Sequence, residues 1–278
     1  MCGAVAPSAS MAPRIPRALS IAGSDSGGGA GIQADVKAFA ACGVHGMTAI
    51  TSITAQNTTT VVAVHTVPAE VIVAQVRAVA QDLGVDAVKI GMLGNASTVE
   101  AVAGALEELD PGTPVVLDPV LVAESGAVLL DPTAHRTLIE LLLPRATVAT
   151  PNVPEARALT GLTRAEPAEL ARAVRGLGPD VVVVTGGHLD TTTDVFFDGD
   201  HLFELPGERH ADGAAHGSGC THSSVLAAAL AWGWEPLAAA RLARELAAAA
   251  VSHGLVGVGS GPGPVDVLAR AGIEPALA

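Results

Sequence analysis

Short apolar segments that alternate with longer amphipathic ones constrain the fold of this chain more than any other feature. Segment 181–184 consists of four valines, and the segments at 18–22 and 114–117 are also mainly apolar. Strands that are apolar along their whole length are buried on both faces, as in parallel sheets covered by helices. The pattern therefore predicts an α/β fold, with a mostly parallel central sheet between two helical layers.

The same pattern predicts the order of the elements. Strands are expected at 18–22, 47–55, 86–90, 114–117, 147–150 and 181–185, followed by a hairpin over 194–205 with its turn at 198–200. Helices are expected at 32–42, 68–83, from the third strand through residue 108, at 223–232 and at 236–253. No internal repeat or linker interrupts this series, which predicts one domain over residues 18–278.

Composition restricts the partners of the chain. Of its 278 residues 49% are hydrophobic but only 2% aromatic, so Ala, Val and Leu must fill the core. The formal net charge of −13 argues against nucleic acid and anionic membranes, because both are bound by clustered Lys and Arg. Lys37 and Lys89 are the only lysines. A phosphate site would therefore depend on backbone N–H groups, on Mg²⁺ and on a few local cations.

The cysteines and the N-terminal residues indicate the cellular compartment of the protein. Cys2, Cys42 and Cys220 form an odd set without metal-like spacing, which is typical of reducing cytoplasm. No apolar run reaches the roughly 18 residues that span a bilayer. Residues 1–17 lack the charged and apolar regions of a signal peptide. We therefore expect a disordered N-terminal extension over 1–17 and a cytoplasmic protein.

The sequence His-Gly-Ser-Gly-Cys-Thr at 216–221 precedes a run of small residues. Gly217 and Gly219 permit a tight turn, and a helix that begins there would direct unpaired N–H groups at one point. Such a point favours an anion, most usefully a phosphate. Cys220 lies in this field, where the pKa of its thiol is expected to fall. The turn therefore predicts phosphoryl transfer with Cys220 as a potential base.

Polar and glycine residues follow six of the predicted strands. They lie at 23–31, 56–58, 89–92, 118–119, 151–155 and 185–187. In open parallel sheets, ligands bind beyond the carboxyl ends of the strands. Together the six segments predict a ligand crevice at that edge.

Several of these residues are consistent with more than one role. The cluster at 23–31 fits neither G-x-G-x-x-G nor a P-loop, which argues against nicotinamide and Walker-type sites. Asp118 and Glu155 suit Mg²⁺, although a turn-initiating Asp and a first-turn helix Glu are equally consistent. Gln56 could bond neighbouring backbone and Met92 could belong to the core. His216, Cys220 and His222 could suggest zinc, but loop-to-helix geometry does not obviously bring them together.

Seven motifs, in this order, resemble those of one enzyme family. They are ALSIAGSDSGGGAGIQAD at 18–35, TAQNT at 54–58, KIGML at 89–93, LDPV at 117–120, TPNVPEA at 150–156, GGHL at 186–189 and HGSGCT at 216–221. Over about residues 18–265 the chain resembles the hydroxymethylpyrimidine/phosphomethylpyrimidine kinases. The resemblance implies a ribokinase-like three-layer α/β/α fold and a homodimer. It also implies two successive phosphorylations, from ATP, of 4-amino-5-hydroxymethyl-2-methylpyrimidine, the pyrimidine precursor of thiamine.

The resemblance further implies roles for matching residues. Gln56 would hydrogen-bond the aminopyrimidine, in a pocket shaped by Gly23, Asp35, Met92 and Val120. The anion hole for the transferring phosphoryl group would consist of Gly217, Ser218, Gly219 and Cys220. The acidic positions near Mg²⁺ and phosphate would be Asp118 and Glu155. The nucleotide would approach Thr185 and Gly187.

The chain departs from the family pattern at three places. Ser218 replaces the usual Thr and keeps its hydroxyl, His222 stands where an apolar residue is common, and 211–215 lacks the usual polar residues. Two alternatives stay open: a pyridoxal or pyridoxine kinase on the same fold, and a non-catalytic pyrimidine- or nucleotide-binding protein. Gln56 discriminates between the two kinases, because its amide suits an aminopyrimidine edge.

Overall fold

Nine strands form a single sheet in the computed structural model, which describes residues 14–122, 129–131, 133–187, 192–210 and 213–269. The strands are β1 Arg17–Asp25, β2 His45–Gln56, β3 Val61–Thr66, β4 Ala87–Ile90, β5 Val115–Leu117, β6 Val148–Ala149, β7 Val181–Val184, β8 Asp194–Phe197 and β9 Leu202–Leu205. The helices are α1 Gly31–Ala41, α2 Ala69–Asp82, α3 Ala96–Ala105, α4 Ala134–Leu141, α5 Val153–Thr160, α6 Pro167–Arg175, α7 Ser218–Ala231 and α8 Pro236–Ser252.

The sheet has a parallel centre and antiparallel edges. Its strand order is β3-β2-β1-β4-β5-β6-β7-β8-β9, and the six strands from β2 to β7 in this order pair in parallel. β3 pairs with β2 in antiparallel orientation, and β8 and β9 form the expected hairpin beyond β7. The carboxyl ends of the parallel strands therefore meet at one edge of the sheet, as the sequence predicts.

Alternate residues of the central strands face two different helical layers. Val115 and Leu117 of β5 pack with α2 to α6, whereas Val116 packs with α1, α7 and α8. β7 divides in the same way, with Val182 and Val184 on the first side and Val181 and Val183 on the second. The predicted three-layer α/β/α architecture is confirmed. Both faces of the sheet are covered, which explains why these strands are apolar throughout.

Several elements differ from the expectation. β3 was not predicted, because most of its residues are exposed and it lacks the continuous apolar pattern of the central strands. α4, α5 and α6 were not assigned individually either. The helix expected at 223–232 begins at Ser218, one and a half turns earlier. Residues 218–221 therefore form the first turn of α7, directly after His216 and Gly217.

The beginning of the described chain is attached to the domain. β1 already includes Arg17, and both Arg14 and Arg17 form ion pairs with Asp86, which precedes β4. Hydrogen bonds to Arg17 lower the pKa of Asp86, although partial burial opposes this shift. Residues 1–13 of the expected extension lie outside the described residues. Among the residues described, no helix combines the length and apolar character needed to cross a membrane.

Gly31 allows the first helix to begin directly after the glycine cluster. Its φ is +56°, and a Cβ at this position would collide with the carbonyl oxygen of Gly23. We expect Gly31→Ala to lower the free energy of unfolding by at least about 1–2 kcal/mol, the cost of the left-handed conformation alone. Urea denaturation measures this loss.

Gly104 supplies the matched control. It is exposed within α3, and a Cβ there would have no neighbour within 4 Å. Gly104→Ala should stabilise the protein by about 0.5–1 kcal/mol, because alanine is the better helix former. Equal effects of the two substitutions would contradict the strain argued for Gly31.

Candidate active site

The glycine cluster after β1 folds around the carboxylate of Asp25. This carboxylate accepts hydrogen bonds from the N–H groups of Gly27, Gly29 and Ala30, at 2.8, 3.0 and 2.9 Å. It also lies 3.1 Å from Nε2 of His216. Burial opposes ionisation, but the hydrogen bonds outweigh it and lower the pKa of Asp25. Asp25 thus orders the glycine cluster and links it to His216, two residues before α7.

Gly217 brings two backbones into direct contact at the beginning of α7. Its φ is +86°, and a Cβ there would collide with the carbonyl oxygen of Gly29. In the first turn of α7, the N–H groups of Gly219 and Cys220 have no acceptor within the helix. The N–H of Ser218 instead donates to the Ala215 carbonyl at 2.9 Å. The anion hole expected from residues 217–220 therefore lacks the N–H of Ser218, which is already hydrogen-bonded.

Cys220 differs from the expectation in its acidity. The residue as a whole is partly exposed, yet desolvation of its thiol raises the pKa to about 12. Lys89 opposes this shift, as does a hydrogen bond from the backbone of Gly31, but neither outweighs desolvation. The expectation of a lowered pKa is wrong, because desolvation of the thiol raises its pKa by more than the neighbouring groups lower it. At neutral pH the thiol is protonated.

Two buried carboxyl groups, Asp118 and Glu155, follow neighbouring strands. Asn152 and Glu155 form a capping box at the start of α5, with both hydrogen bonds at 2.9 Å. Asp118 accepts a hydrogen bond of 2.9 Å from Ser223 of α7. Burial raises the pKa of both carboxyl groups, and repulsion from Asp118 helps to raise that of Glu155 to about 8.

The carboxyl groups of Asp118 and Glu155 suit Mg²⁺ as two of its ligands, with water and substrate phosphate as the others. When two neighbouring carboxylates are buried away from water, they repel each other, and a divalent cation between them stabilises both. Mg²⁺ usually takes one or two protein carboxylates and completes its shell with water and substrate phosphate. Within the described ranges, no three His, Cys, Asp or Glu side chains are grouped to hold a metal ion.

The residues expected around the pyrimidine are brought together in part. A Cβ on Gly23 would lie 3.0 Å from Sδ of Met92, so these two residues are in contact range. At the end of β2, the side-chain oxygen of Gln56 accepts a hydrogen bond of 3.2 Å from Thr54. Ser52, which the sequence did not indicate, has a buried Oγ without a partner beside Gly23. Val120 is partly buried two residues after Asp118.

Asp35 has no exposed surface. It pairs with the equally buried Lys89 of β4, whose Nζ lies 2.9 and 3.1 Å from its two carboxylate oxygens. Asp35 also accepts hydrogen bonds from Ser20 of β1 and Ser224 of α7. A direct contact between Asp35 and a substrate stays a prediction. Lys89 was not predicted as a functional residue, and only its position at a strand end pointed to it.

The residues expected near the nucleotide lie at the end of β7. Thr185 bridges to Asn152 through backbone hydrogen bonding, and Gly187 is exposed with open space around it. His188 and Leu189 of the same motif lie outside the described residues.

A cavity of about 570 Å³ lies between the end of β9 and α8. Its lining includes Pro206, Glu208, Arg241, Arg244 and Ala248, and none of the residues predicted from the sequence. It is formed by segments far apart in the chain, without a motif that marks it. Its volume suits a small ligand.

The chain is similar to known proteins over most of its length. The model of the phosphomethylpyrimidine kinase family matches residues 25–266. A hydroxymethylpyrimidine/phosphomethylpyrimidine kinase of Rhizobium meliloti is 50% identical over 255 residues, which are 89% of this chain and 95% of the relative. The structure of an ADP complex of Bacillus subtilis pyridoxal kinase is similar with a TM-score of 0.84, 37% identity and coverage of 92% and 99%. Staphylococcus aureus pyridoxal kinase with AMP-PCP and pyridoxal gives a TM-score of 0.85, 32% identity and coverage of 94% and 96%.

The raised pKa of Glu155 predicts a pH-dependent stability. Because the folded-state pKa of about 8 lies above the ordinary value of 4.5, the folded protein holds this proton more tightly than the unfolded chain. Stability should therefore fall as the pH rises from about 4.5 to 8. Glu155→Gln retains the capping box and should reduce this fall, as measured by Tm in a chelator from pH 5 to 8.

Glu140→Gln, at an exposed carboxylate of α4, is the control and should leave the pH slope unchanged. An identical slope in wild type and Glu155→Gln would show that the proton on Glu155 does not contribute to the pH dependence.

Proposed function

Because the chain belongs to the phosphomethylpyrimidine kinase family, we propose that it transfers phosphate at the carboxyl edge of its sheet, between the pocket around Gln56 and the first turn of α7. The protein is an ATP-dependent phosphotransferase of thiamine biosynthesis that acts on hydroxymethylpyrimidine and then on its monophosphate. The observation that supports this location best is the start of α7, which is held by backbone contact against the glycine cluster after β1.

The proposed reaction begins with the pyrimidine held by Gln56 beside Gly23 and Met92. Its hydroxymethyl oxygen, or a phosphate oxygen in the second step, attacks the γ-phosphorus of ATP in line. The N–H groups of Gly219 and Cys220 stabilise the charge that develops on the equatorial oxygens. Preorganised donors of this kind and the positioning of both substrates supply most of the acceleration.

Cys220 is proposed to guide the proton of the attacking hydroxyl. Since the pKa of its thiol is raised to about 12, Cys220 enters the reaction protonated and forms a hydrogen bond with the acceptor oxygen. The thiol passes its own proton to an oxygen of the transferring phosphoryl group and takes the proton of the attacking hydroxyl, while the bond between the γ-phosphorus and ADP breaks. Base strength is therefore secondary to the anion hole.

Mg²⁺ is proposed to be held by Asp118 and Glu155 together with phosphate oxygens. When bound, it would neutralise charge on the transferring phosphate. Glu155 must release a proton to bind it, because burial and Asp118 raise its pKa to about 8. The raised pKa of Asp118 acts in the same direction, so binding should strengthen as the pH rises. The hydrogen bond from Ser223 keeps Asp118 oriented towards α7.

The cavity between β9 and α8 is proposed to accept the adenosine part of ATP. Pro206, Gly207 and Glu208 of its lining follow β9 and precede α7 in the sequence. Its lining has three carboxylates, from Glu204, Glu208 and Glu245, against the two guanidinium groups of Arg241 and Arg244, so a negative balance disfavours phosphates. The uncharged base and ribose therefore fit it better than the triphosphate.

Pyridoxal kinase activity is the second candidate, because similar solved structures are pyridoxal kinases. The pyrimidine kinase of Rhizobium meliloti is more similar in sequence, at 50% identity against 37% and 32%. Gln56 lies at the end of β2 with an amide that can both donate to and accept from an aminopyrimidine edge. This supports the pyrimidine as the preferred acceptor.

An ADP-release assay with Mg²⁺-ATP tests the proposed site. Wild type should turn over hydroxymethylpyrimidine with a higher kcat/KM than pyridoxal. Cys220→Ala should lower kcat by about 10²-fold, the lower end of the range for general acid–base groups, while Cys220→Ser keeps more activity. Gln56→Ala should raise KM for the pyrimidine, and Gln81→Ala, on the exposed side of α2, should not.

Each outcome of the assay has a separate meaning. No turnover of either acceptor by wild type would refute the kinase activity. Better turnover of pyridoxal would reverse the acceptor assignment. An unchanged KM in Gln56→Ala would remove Gln56 from the pocket.

We also propose a homodimer that covers the outer ribbon of β2 and β3. β3 is the edge strand of the sheet, and Ile53, Val62 and Val64 on this ribbon are 51%, 74% and 48% exposed. An edge strand with exposed apolar side chains favours association. A second copy of the chain is the occupant that the family resemblance implies.

Val62→Lys should shift the protein from dimer to monomer, because it places a charge in the proposed interface. Light scattering after size-exclusion chromatography measures the mass. Val256→Lys changes a valine of similar exposure, 73%, in the segment after α8 and should leave the mass unchanged. A monomeric wild type would refute the dimer.

The cytoplasm is the proposed compartment. The two cysteines that the structure describes, Cys42 and Cys220, are free thiols. Burial raises the pKa of Cys42 to about 11, so it is not a reactive thiolate. Free thiols of this kind persist in a reducing compartment.

A further inference from the structure

Lys89 is the only lysine or arginine that is buried among the described residues. Its side chain and that of Asp35 have no exposed surface, and its ammonium contacts both carboxylate oxygens of Asp35. Placing two ions in such a position is costly, and apolar side chains often replace a buried pair without loss of stability. Stability alone therefore does not account for this pair.

The pair lies against the face of α7 that includes Cys220. Ser20 and Lys89 are register partners on β1 and β4, and Ser20 donates a hydrogen bond of 2.5 Å to Asp35. Ser224 of α7 donates a second one, of 2.8 Å. Cys220 and Ser224 are four residues apart, so they share one face of the helix. This face is directed at the ion pair.

The ammonium lies at the carboxyl edge of the sheet. A Cβ on Gly91, the first residue after β4, would approach Nζ of Lys89 to 2.8 Å. The charged groups that act on Cys220 are Lys89 from β4, Asp35 from α1 and Asp118 after β5. Of these, Lys89 has the largest effect, and its lowering of the Cys220 pKa exceeds the opposite effect of Asp35. The pair therefore acts on the thiol mainly through its positive end.

We propose that Lys89 is a positioning residue for phosphoryl transfer, with its ammonium fixed by Asp35 so that an oriented ion pair presents its positive end to Cys220 and the start of α7. This inference rests on the proposed site. Lys89 does not touch the substrate. It acts through Cys220, by favouring negative charge where the proton is lost and the phosphoryl group arrives, in a chain whose net charge is −13.

The test removes both charges together, so that no ion is left unpaired. Lys89→Met/Asp35→Asn is made in a Cys2→Ser/Cys42→Ser background, in which Cys220 is the only thiol. The first measurement is the rate of Cys220 alkylation by iodoacetamide at one alkaline pH, because only the thiolate reacts. The second is the kcat and KM for hydroxymethylpyrimidine with Mg²⁺-ATP.

We expect alkylation to fall about tenfold, the change that one pKa unit produces. The kcat should fall as well, because the arriving phosphoryl charge loses a positive neighbour, while KM for the pyrimidine changes little. The matched control, Arg136→Met/Glu140→Gln, removes the exposed ion pair of α4 and should change neither. A folded double variant with wild-type alkylation and kcat would overturn the proposal. It would show that the pair only stabilises the fold.

If the double variant does not fold, Gly91→Ala tests the proposal instead. It keeps both charges and displaces the ammonium, so alkylation of Cys220 should again fall. Unchanged alkylation would overturn the proposal. Because alkylation does not require turnover, it tests Lys89 even if wild type fails to phosphorylate the pyrimidine, an outcome that would refute the kinase activity instead.

Discussion

The carboxylate of Asp35 is the interaction on which the arrangement of the site depends. It joins three elements that are distant in the chain: β1 through Ser20, β4 through Lys89 and α7 through Ser224. All of these contacts are buried, so water cannot replace any of them. Removing one partner of a buried ion pair typically costs about 3–5 kcal/mol, because the other charge remains unpaired. The position of α7 relative to the strand ends is therefore strongly fixed.

Two further polar contacts attach α7 to the same edge. Ser223 binds Asp118 after β5, and His216 lies beside Asp25 at the end of β1. The beginning of the helix is thus held from several strands at once. Catalysis by preorganised donors requires such rigidity, since donors that must first move lose their advantage over water.

The sequence predicted the parts of the structure that depend on local pattern. Apolar runs such as 181–184 located the central strands, and the glycine turn at 216–221 located the start of the last helical pair. It failed where the outcome depends on distant neighbours. The acidity of Cys220 is set by desolvation and by Lys89, and nothing next to Cys220 in the chain reveals either. β3 was missed because an exposed edge strand has no buried pattern to recognise.

The contact between Gly217 and the carbonyl of Gly29 has a consequence for how such a site can change. Since two backbones meet there, no side chain can be exchanged to alter the fit, and any residue larger than glycine would separate the two segments. The proposed acceptor side is different, because there Gln56, Met92 and Val120 would contribute side chains that can vary singly. Substitutions on the acceptor side could therefore accommodate a new acceptor without any change in the backbone contact between Gly217 and Gly29. One part of this edge of the sheet is restricted to glycine, and the other tolerates substitution.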